Sequence, residues 1–206
     1  MGRTRILLNG VRDLRTAETA EAAGADAIGF DFRPGSPRHV DPYAAADVLS
    51  SLPPLLWAVA IYVDPTLDDF LDAEAVFPAP YTLLTGDEKD NLVRRIGPDV
   101  IKGIPLDLST LDTQLRHWSD IEEVCAVLLE APCDFDWNAS LANLARSITL
   151  TPLRVVLTGG LDAQNVGPVI EALRPWGVAQ SLGDSSEDLA QFTPFCQAVR
   201  RADAPE

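Results

Sequence analysis

The chain has 206 residues, 47% of them hydrophobic and 23% charged, with a formal net charge of -15. That is the composition of one folded domain, and its acidity excludes non-specific nucleic-acid binding, because a polyanion is repelled over most of such a surface. No apolar run approaches the roughly 20 residues of a membrane span, the run after Arg3 and Arg5 is too short for a secretory signal, and Cys125, Cys133 and Cys196 are odd in number without metal or disulfide spacing, so a cytoplasmic protein is expected.

Short apolar runs alternate with longer amphipathic stretches along the whole chain. Ile6-Leu7-Leu8 reads as a first strand, followed by a helix from Leu14 to Ala23 that Gly24 stops. Ala27 to Phe32 is a second strand, and Asp41-Pro42 opens a helix toward Leu52. Trp57 to Val63 is the third strand; Asp64-Pro65-Thr66 caps the helix carrying Leu67, Phe70 and Leu71. Tyr81 to Leu84, a helix over Asp90 to Ile96, Val100 to Ile104, a helix over Leu111 to Trp118, and Val124 to Leu129 continue the pattern. Arg154 to Leu157, a helix over Gln164 to Leu173, a short strand at Val178 to Ser181 and a last helix over Ser186 to Arg201 complete it.

Eight strand-like units alternating with helices predict an α/β chain folded as a (β/α)8 TIM barrel, one domain over residues 1–206, with Ala202 to Glu206 as a flexible polar tail. The isolated His39 and His117 have no ligand-spaced partners, and no phosphate-binding P-loop or Ser-His-Asp order is present, so neither a metal nor a cofactor is expected.

The segment Gly24-Ala25-Asp26-Ala27-Ile28-Gly29-Phe30 with Gly35-Ser36-Pro37-Arg38 resembles the second strand and following loop of the phosphoribosylanthranilate isomerase family. The resemblance runs on in order: Ala58-Val59-Ala60-Ile61-Tyr62-Val63, Leu83-Leu84-Thr85-Gly86-Asp87-Glu88, Val100-Ile101-Lys102, Leu128-Leu129-Glu130, Phe135-Asp136-Trp137 and Leu157-Thr158-Gly159-Gly160. It implies a barrel enzyme of tryptophan biosynthesis that binds a phosphorylated small molecule as a monomer or homodimer. Phosphate contacts fall to Gly159, Gly160, Ser181 and Gly183, where glycine lets backbone N–H groups approach an anion, and Arg38 is placed on the substrate's anthranilate end.

The family's Amadori rearrangement needs an acid at the ring oxygen and a base for the C2 proton. Where the resemblance places the base, a cysteine after Lys-Ile, this chain carries Asn9, whose amide does not take up a proton at neutral pH. The acid position holds Glu130 instead of aspartate, and the loop Ala131-Pro132-Cys133-Asp134 is shorter than the family's. In the last loop Leu182 replaces a hydroxyl residue and Asp184 adds a carboxylate. An isomerase-like protein with impaired isomerisation is expected. Two alternatives stand beside it: a re-purposed barrel acting on another sugar phosphate through Glu130 with Asp31, Lys102 or Cys133, or a non-catalytic binding protein. Asp31, near the end of the second strand, is either a new base or the partner of an inward-pointing Lys102.

Overall fold

The computed structural model describes residues 2–181 and 189–204. Eight parallel strands close on themselves in sequence order: β1 (Arg5–Asn9), β2 (Ala27–Asp31), β3 (Trp57–Tyr62), β4 (Tyr81–Leu84), β5 (Val100–Pro105), β6 (Val124–Glu130), β7 (Arg154–Thr158) and β8 (Gly177–Ser181), with β1 pairing both β2 and β8. Among the described residues eight helices form the outer layer: α1 (Leu14–Ala23), α2 (Pro42–Leu49), α3 (Leu67–Val76), α4 (Asp90–Ile96), α5 (Leu111–Ser119), α6 (Trp137–Leu150), α7 (Val166–Leu173) and α8 (Leu189–Asp203). The (β/α)8 barrel is the architecture the alternation predicts. No helix among the described residues is long and apolar enough to cross a membrane.

Local chemistry sets the helix ends. Asp13, Asp41, Thr66 and Asp136 each accept a hydrogen bond from a first-turn N–H through the side chain, which satisfies donors a helix leaves unpaired. Gly24 ends α1 at φ 98, a left-handed turn that only glycine adopts without strain. Helix α6 has no counterpart among the expected elements, because its apolar residues are diluted by Asn138, Ser140, Asn143, Arg146 and Ser147. Its signal is the Asp136 cap ahead of Trp137, Leu141 and Leu144. Helix α2 ends at Leu49, three residues before the expected Leu52.

The expected tail is corrected at its start. Ala202 and Asp203 lie in α8, and the Asp203 carboxylate accepts from both the backbone N–H (2.9 Å) and the hydroxyl (2.6 Å) of Thr4. Arg200 donates to the Thr4 carbonyl at 2.7 Å and pairs with Asp26 at 2.9 Å, so the two ends of the chain are joined beneath β1.

Alternate residues of each strand face opposite layers. Leu7, Val59, Ile61, Leu83, Ile101, Leu128, Val156 and Ala179 fill the lumen, while Ile6, Leu8, Ile28, Phe30, Leu129 and Leu157 pack against the helices. The phase of this alternation decides which polar side chains reach the mouth.

Candidate active site at the C-terminal mouth

Above the apolar lumen, the lumen-facing phase continues as Asn9, Asp31, Thr85, Glu130, Thr158 and Ser181, all at C-terminal strand ends or just beyond. Together with Arg33 and Arg38 these residues line one cavity of about 50 Å3 among the described residues. Larger cavities lie elsewhere, one of about 570 Å3 beside Glu88, Asp90 and His117 on the helical shell. Volume is a poor guide here: in this fold the chemistry is built from strand C-termini and the loops that follow, and that is where the convergent polar groups are.

Asn9 ends β1 in register with Gly29 and Ser181 and is 8% exposed. A side-chain carbon at Gly29 would lie 2.3 Å from Asn9 Oδ1, so glycine in β2 is what makes room for the amide at the mouth. That buried oxygen accepts no hydrogen bond among the described residues. Such an orphan costs on the order of 1–3 kcal/mol, and a strained, catalytic or water- or ion-binding position is what ordinarily accounts for one. The amide can accept a hydrogen bond from a ligand but cannot retain its proton.

Asp31 does reach the mouth, 1% exposed, but its carboxylate is fully engaged. Oδ1 accepts from the Arg33 backbone N–H (3.0 Å) and Nε (2.7 Å); Oδ2 accepts from the second guanidinium nitrogen and from Ser36 Oγ (2.8 Å). Burial pushes its pKa up, yet the donors from Arg33 and Ser36 outweigh that and hold it below the usual carboxylate range. A carboxylate so stabilised as an anion is a poor proton acceptor. Its role is positional: Ser36 Oγ in turn accepts from the Arg38 backbone N–H at 3.1 Å, so Asp31 anchors the loop that carries Arg38. The loop returns to the strand through the Val40 N–H to Asp31 carbonyl bond at 2.9 Å.

The expected pairing of Asp31 with Lys102 does not occur. Lys102 stands on the opposite phase of β5 from the lumen-facing Ile101 and points toward the helices, 3% exposed, where its ammonium lies 2.9 Å from Glu88 and 5.3 Å from the Trp118 ring centre. It also donates to the carbonyls of Gly86 (2.7 Å) and Gly103 (2.9 Å), while Glu88 Oε1 accepts from the backbone N–H groups of Asp64 and Gly86 at 3.0 Å. The pair ties the loops after β3 and β4 to β5. Burial raises the Glu88 pKa, and the Lys102 ammonium and backbone donors more than reverse that, leaving it lowered.

Glu130, the last residue of β6, is exposed and stands close enough to Arg33 to raise the guanidinium's pKa, behind the larger effect of Asp31. Arg33 lies between the two matched halves of the β2 motif and draws no role from the sequence; its signal is a second arginine in a loop already carrying Arg38. Cys133, in the loop after β6, is exposed and does not line the mouth cavity.

Gly159 and Gly160 follow β7 with φ of 88 and 60. A side-chain carbon at Gly159 would meet the Ala131 carbonyl oxygen at 2.0 Å, so this glycine is required for the β7 loop to pack on the β6 loop. The Gly159 carbonyl accepts from Trp137 Nε1 (3.0 Å) and that of Gly160 from Asn165 Nδ2 (2.7 Å), which fixes the turn above β7. Ser181 ends β8 exposed beside Asn9. Gly183, Leu182 and Asp184 lie outside the described residues.

A closed parallel barrel whose lumen is apolar below and polar at the C-terminal mouth, with two arginines and an exposed carboxylate converging there, defines a (β/α)8 barrel with its polar groups gathered at the face where this fold carries its chemistry. The family model described as N-(5'phosphoribosyl)anthranilate (PRA) isomerase matches residues 8–183. An N-(5'-phosphoribosyl)anthranilate isomerase of Herminiimonas arsenicoxydans is 34% identical over 98% of this chain and 95% of its own length. The solved phosphoribosyl anthranilate isomerase of Thermotoga maritima superposes with a TM-score of 0.81 at 26% identity, covering 96% of this chain and 99% of that one. Another solved isomerase, bound to reduced 1-(o-carboxyphenylamino)-1-deoxyribulose 5-phosphate, superposes at 0.79 with 27% identity and the same coverage. The chain belongs to the N-(5'-phosphoribosyl)anthranilate isomerase family.

Proposed function

We propose that this protein binds a phosphorylated, carboxylated arylamino-sugar at the C-terminal mouth and catalyses its Amadori isomerisation slowly, for want of a base at position 9. Arg38 is suited to the ligand's carboxylate through a paired set of donors, and Gly159, Gly160, Ser181 and Gly183 surround the phosphate position in the family resemblance. Glu130 supplies the acid that protonates the ring oxygen. Its extra methylene relative to aspartate shifts the carboxyl by roughly 1 Å, an error on the scale that costs about a hundredfold.

The observation that carries the reading is Asn9: a buried amide at the barrel mouth, its oxygen unpaired among the described residues, at the position to which the family resemblance assigns the base. An amide there can hold a substrate hydroxyl or amine in position without performing the transfer. Asp31 does not replace it, since all its strong acceptor directions are taken. The test has two arms. The reduced product analogue should raise the melting temperature of the pure protein, because a ligand bound only by the folded state stabilises it by mass action. Turnover of phosphoribosylanthranilate, followed by its fluorescence, should be slow, and rescue of an isomerase-deficient tryptophan auxotroph poor. Rapid turnover would overturn the impaired reading.

A further inference from the structure

Among the charged residues that line the mouth, Arg33 is the one to which the isomerisation assigns nothing. It is also firmly held. Its backbone N–H and its Nε donate to Asp31 Oδ1 at 3.0 and 2.7 Å, and a terminal guanidinium nitrogen donates to Asp31 Oδ2. Two prongs on a carboxylate that is 1% exposed fix both the place of the guanidinium and the plane in which it lies. Asp31 is held in its turn, by Ser36 Oγ at 2.8 Å and through its own carbonyl by the Val40 N–H at 2.9 Å. The rotamer freedom that a long side chain gives up on meeting a ligand is therefore already lost in the folded protein.

The pairing with Asp31 uses one edge of the guanidinium and leaves its faces. The Arg33 side chain is 31% exposed, and no aromatic ring among the described residues lies against it; the cation–ring contacts there are those of Lys102 with Trp118 and Arg154 with Trp176. A further anion is a poor match for this group, since Asp31 already balances its charge and the Glu130 carboxylate acts on it as well. A flat ring is a better one, because stacking on a guanidinium face is compatible with a carboxylate bonded to the guanidinium edge. Arg38 stands on the same loop and lines the same cavity. A ring that bears a carboxylate is the ligand feature that answers the two arginines together.

We infer that Arg33 is a specificity-determining residue of this mouth: the face of its guanidinium is the platform on which the ligand's aryl ring stacks, while Arg38 takes the carboxylate borne by that ring. The inference rests on the function proposed above and adds to it the residue that reads the ring. Asp31 then serves the aryl end twice, by fixing the plane of Arg33 and by anchoring the loop that carries Arg38.

The test compares two ligands by calorimetry: the reduced product analogue, and its counterpart fluorinated at the four open positions of the aryl ring. Both keep the carboxylate and the phosphate and differ little in shape, but fluorine withdraws from the ring face the electron density that a cation attracts. The parent protein should bind the fluorinated ligand about three- to thirtyfold more weakly, the span of cation–π contacts from exposed to desolvated sites. In Arg33→Met that ratio should fall to near one. Arg38→Gln should weaken both ligands alike and leave the ratio as in the parent. Where Arg33→Met fails to fold because Asp31 is stranded, Asp31→Leu/Arg33→Met removes both charges of the pair and carries the same expectation. A ratio near one in the parent, or a ratio that survives the loss of Arg33, overturns the inference and leaves the proposed function standing. Failure of both ligands to bind the parent overturns the proposed function and this inference with it.

Discussion

Replacing Asn9 by cysteine should raise the rate of the proposed isomerisation. A positioned general base contributes about 10²–10⁴ in rate, or roughly 3–5 kcal/mol of barrier. The substitution is mild for the fold. Cysteine is smaller than asparagine, it leaves the close approach of Gly29 undisturbed, and it removes an amide oxygen that accepts no hydrogen bond among the described residues. Deleting an unpaired buried acceptor strands nothing, so the melting temperature of Asn9→Cys should equal or exceed that of the parent.

The assay is fluorescence-monitored turnover of phosphoribosylanthranilate across pH 6 to 9. The thiolate is the base, and a cysteine of ordinary pKa, about 8.5, is only a few per cent ionised at neutral pH. kcat of the variant should therefore climb with pH over that range, while the parent shows no such limb. If Asn9→Cys folds, binds the product analogue and gains less than about tenfold, position 9 does not limit the reaction. Position 9 is equally ruled out as the limit if the parent already turns over at a rate the variant cannot exceed.

Glu130→Gln should abolish the residual turnover of the parent, and the gain in Asn9→Cys, with little change in analogue-induced thermal shift, because the side chain is exposed and its loss of charge leaves the fold intact. Asp31→Asn should act on binding: with the Arg33 and Ser36 contacts weakened, KM rises by about tenfold or more while kcat changes less, and the reverse split would make Asp31 a base after all. Lys102→Met leaves Glu88 buried without its cation, and breaking such a pair costs about 3–5 kcal/mol, a fall of roughly 6–20 °C in Tm for a chain of this size. Glu88 and Asp31 both have folded pKa values below their unfolded ones, so their stabilisation is complete above about pH 5 and is lost as pH falls through the folded values; acid titration of Tm should show a steep limb that Glu88→Gln flattens. Gly159→Ala combines positive φ with a backbone clash at Ala131 and should destabilise by more than the roughly 1–3 kcal/mol of backbone strain alone, read as urea midpoint.

The barrel is legible in the sequence because its signals are local and repeat. Ile6-Leu7-Leu8, Trp57 to Val63 and Val124 to Leu129 are apolar on both faces, as strands buried between lumen and helices must be. Helix α6 escapes because propensity alone supports it weakly; what holds it is Trp137 and Leu144, buried against the barrel, which is tertiary information. Asp203 escapes for a similar reason: a polar chain end looks frayed until Thr4, nearly the whole sequence away, supplies two donors.

The site is legible in membership and less so in connection. Asn9, Asp31 and Glu130 do meet at one mouth, as residues on the lumen phase of β1, β2 and β6 must. Lys102 looks like a further member because Val100-Ile101-Lys102 ends near the same mouth, yet one residue of strand phase separates lumen from shell. Ile101 takes the lumen, so Lys102 is turned outward, where a lone ammonium between sheet and helices is untenable. That requirement explains Glu88: the sequence Gly86-Asp87-Glu88 supplies a carboxylate, a carbonyl and a tight turn within reach of the outward lysine. Asp31 is the mirror case, an inward charge that meets the same requirement through Arg33, two residues on. Both buried charges thus take their partners from a neighbouring loop. Asn9, neutral and with its oxygen unpaired among the described residues, differs because no charge forces a partner on it.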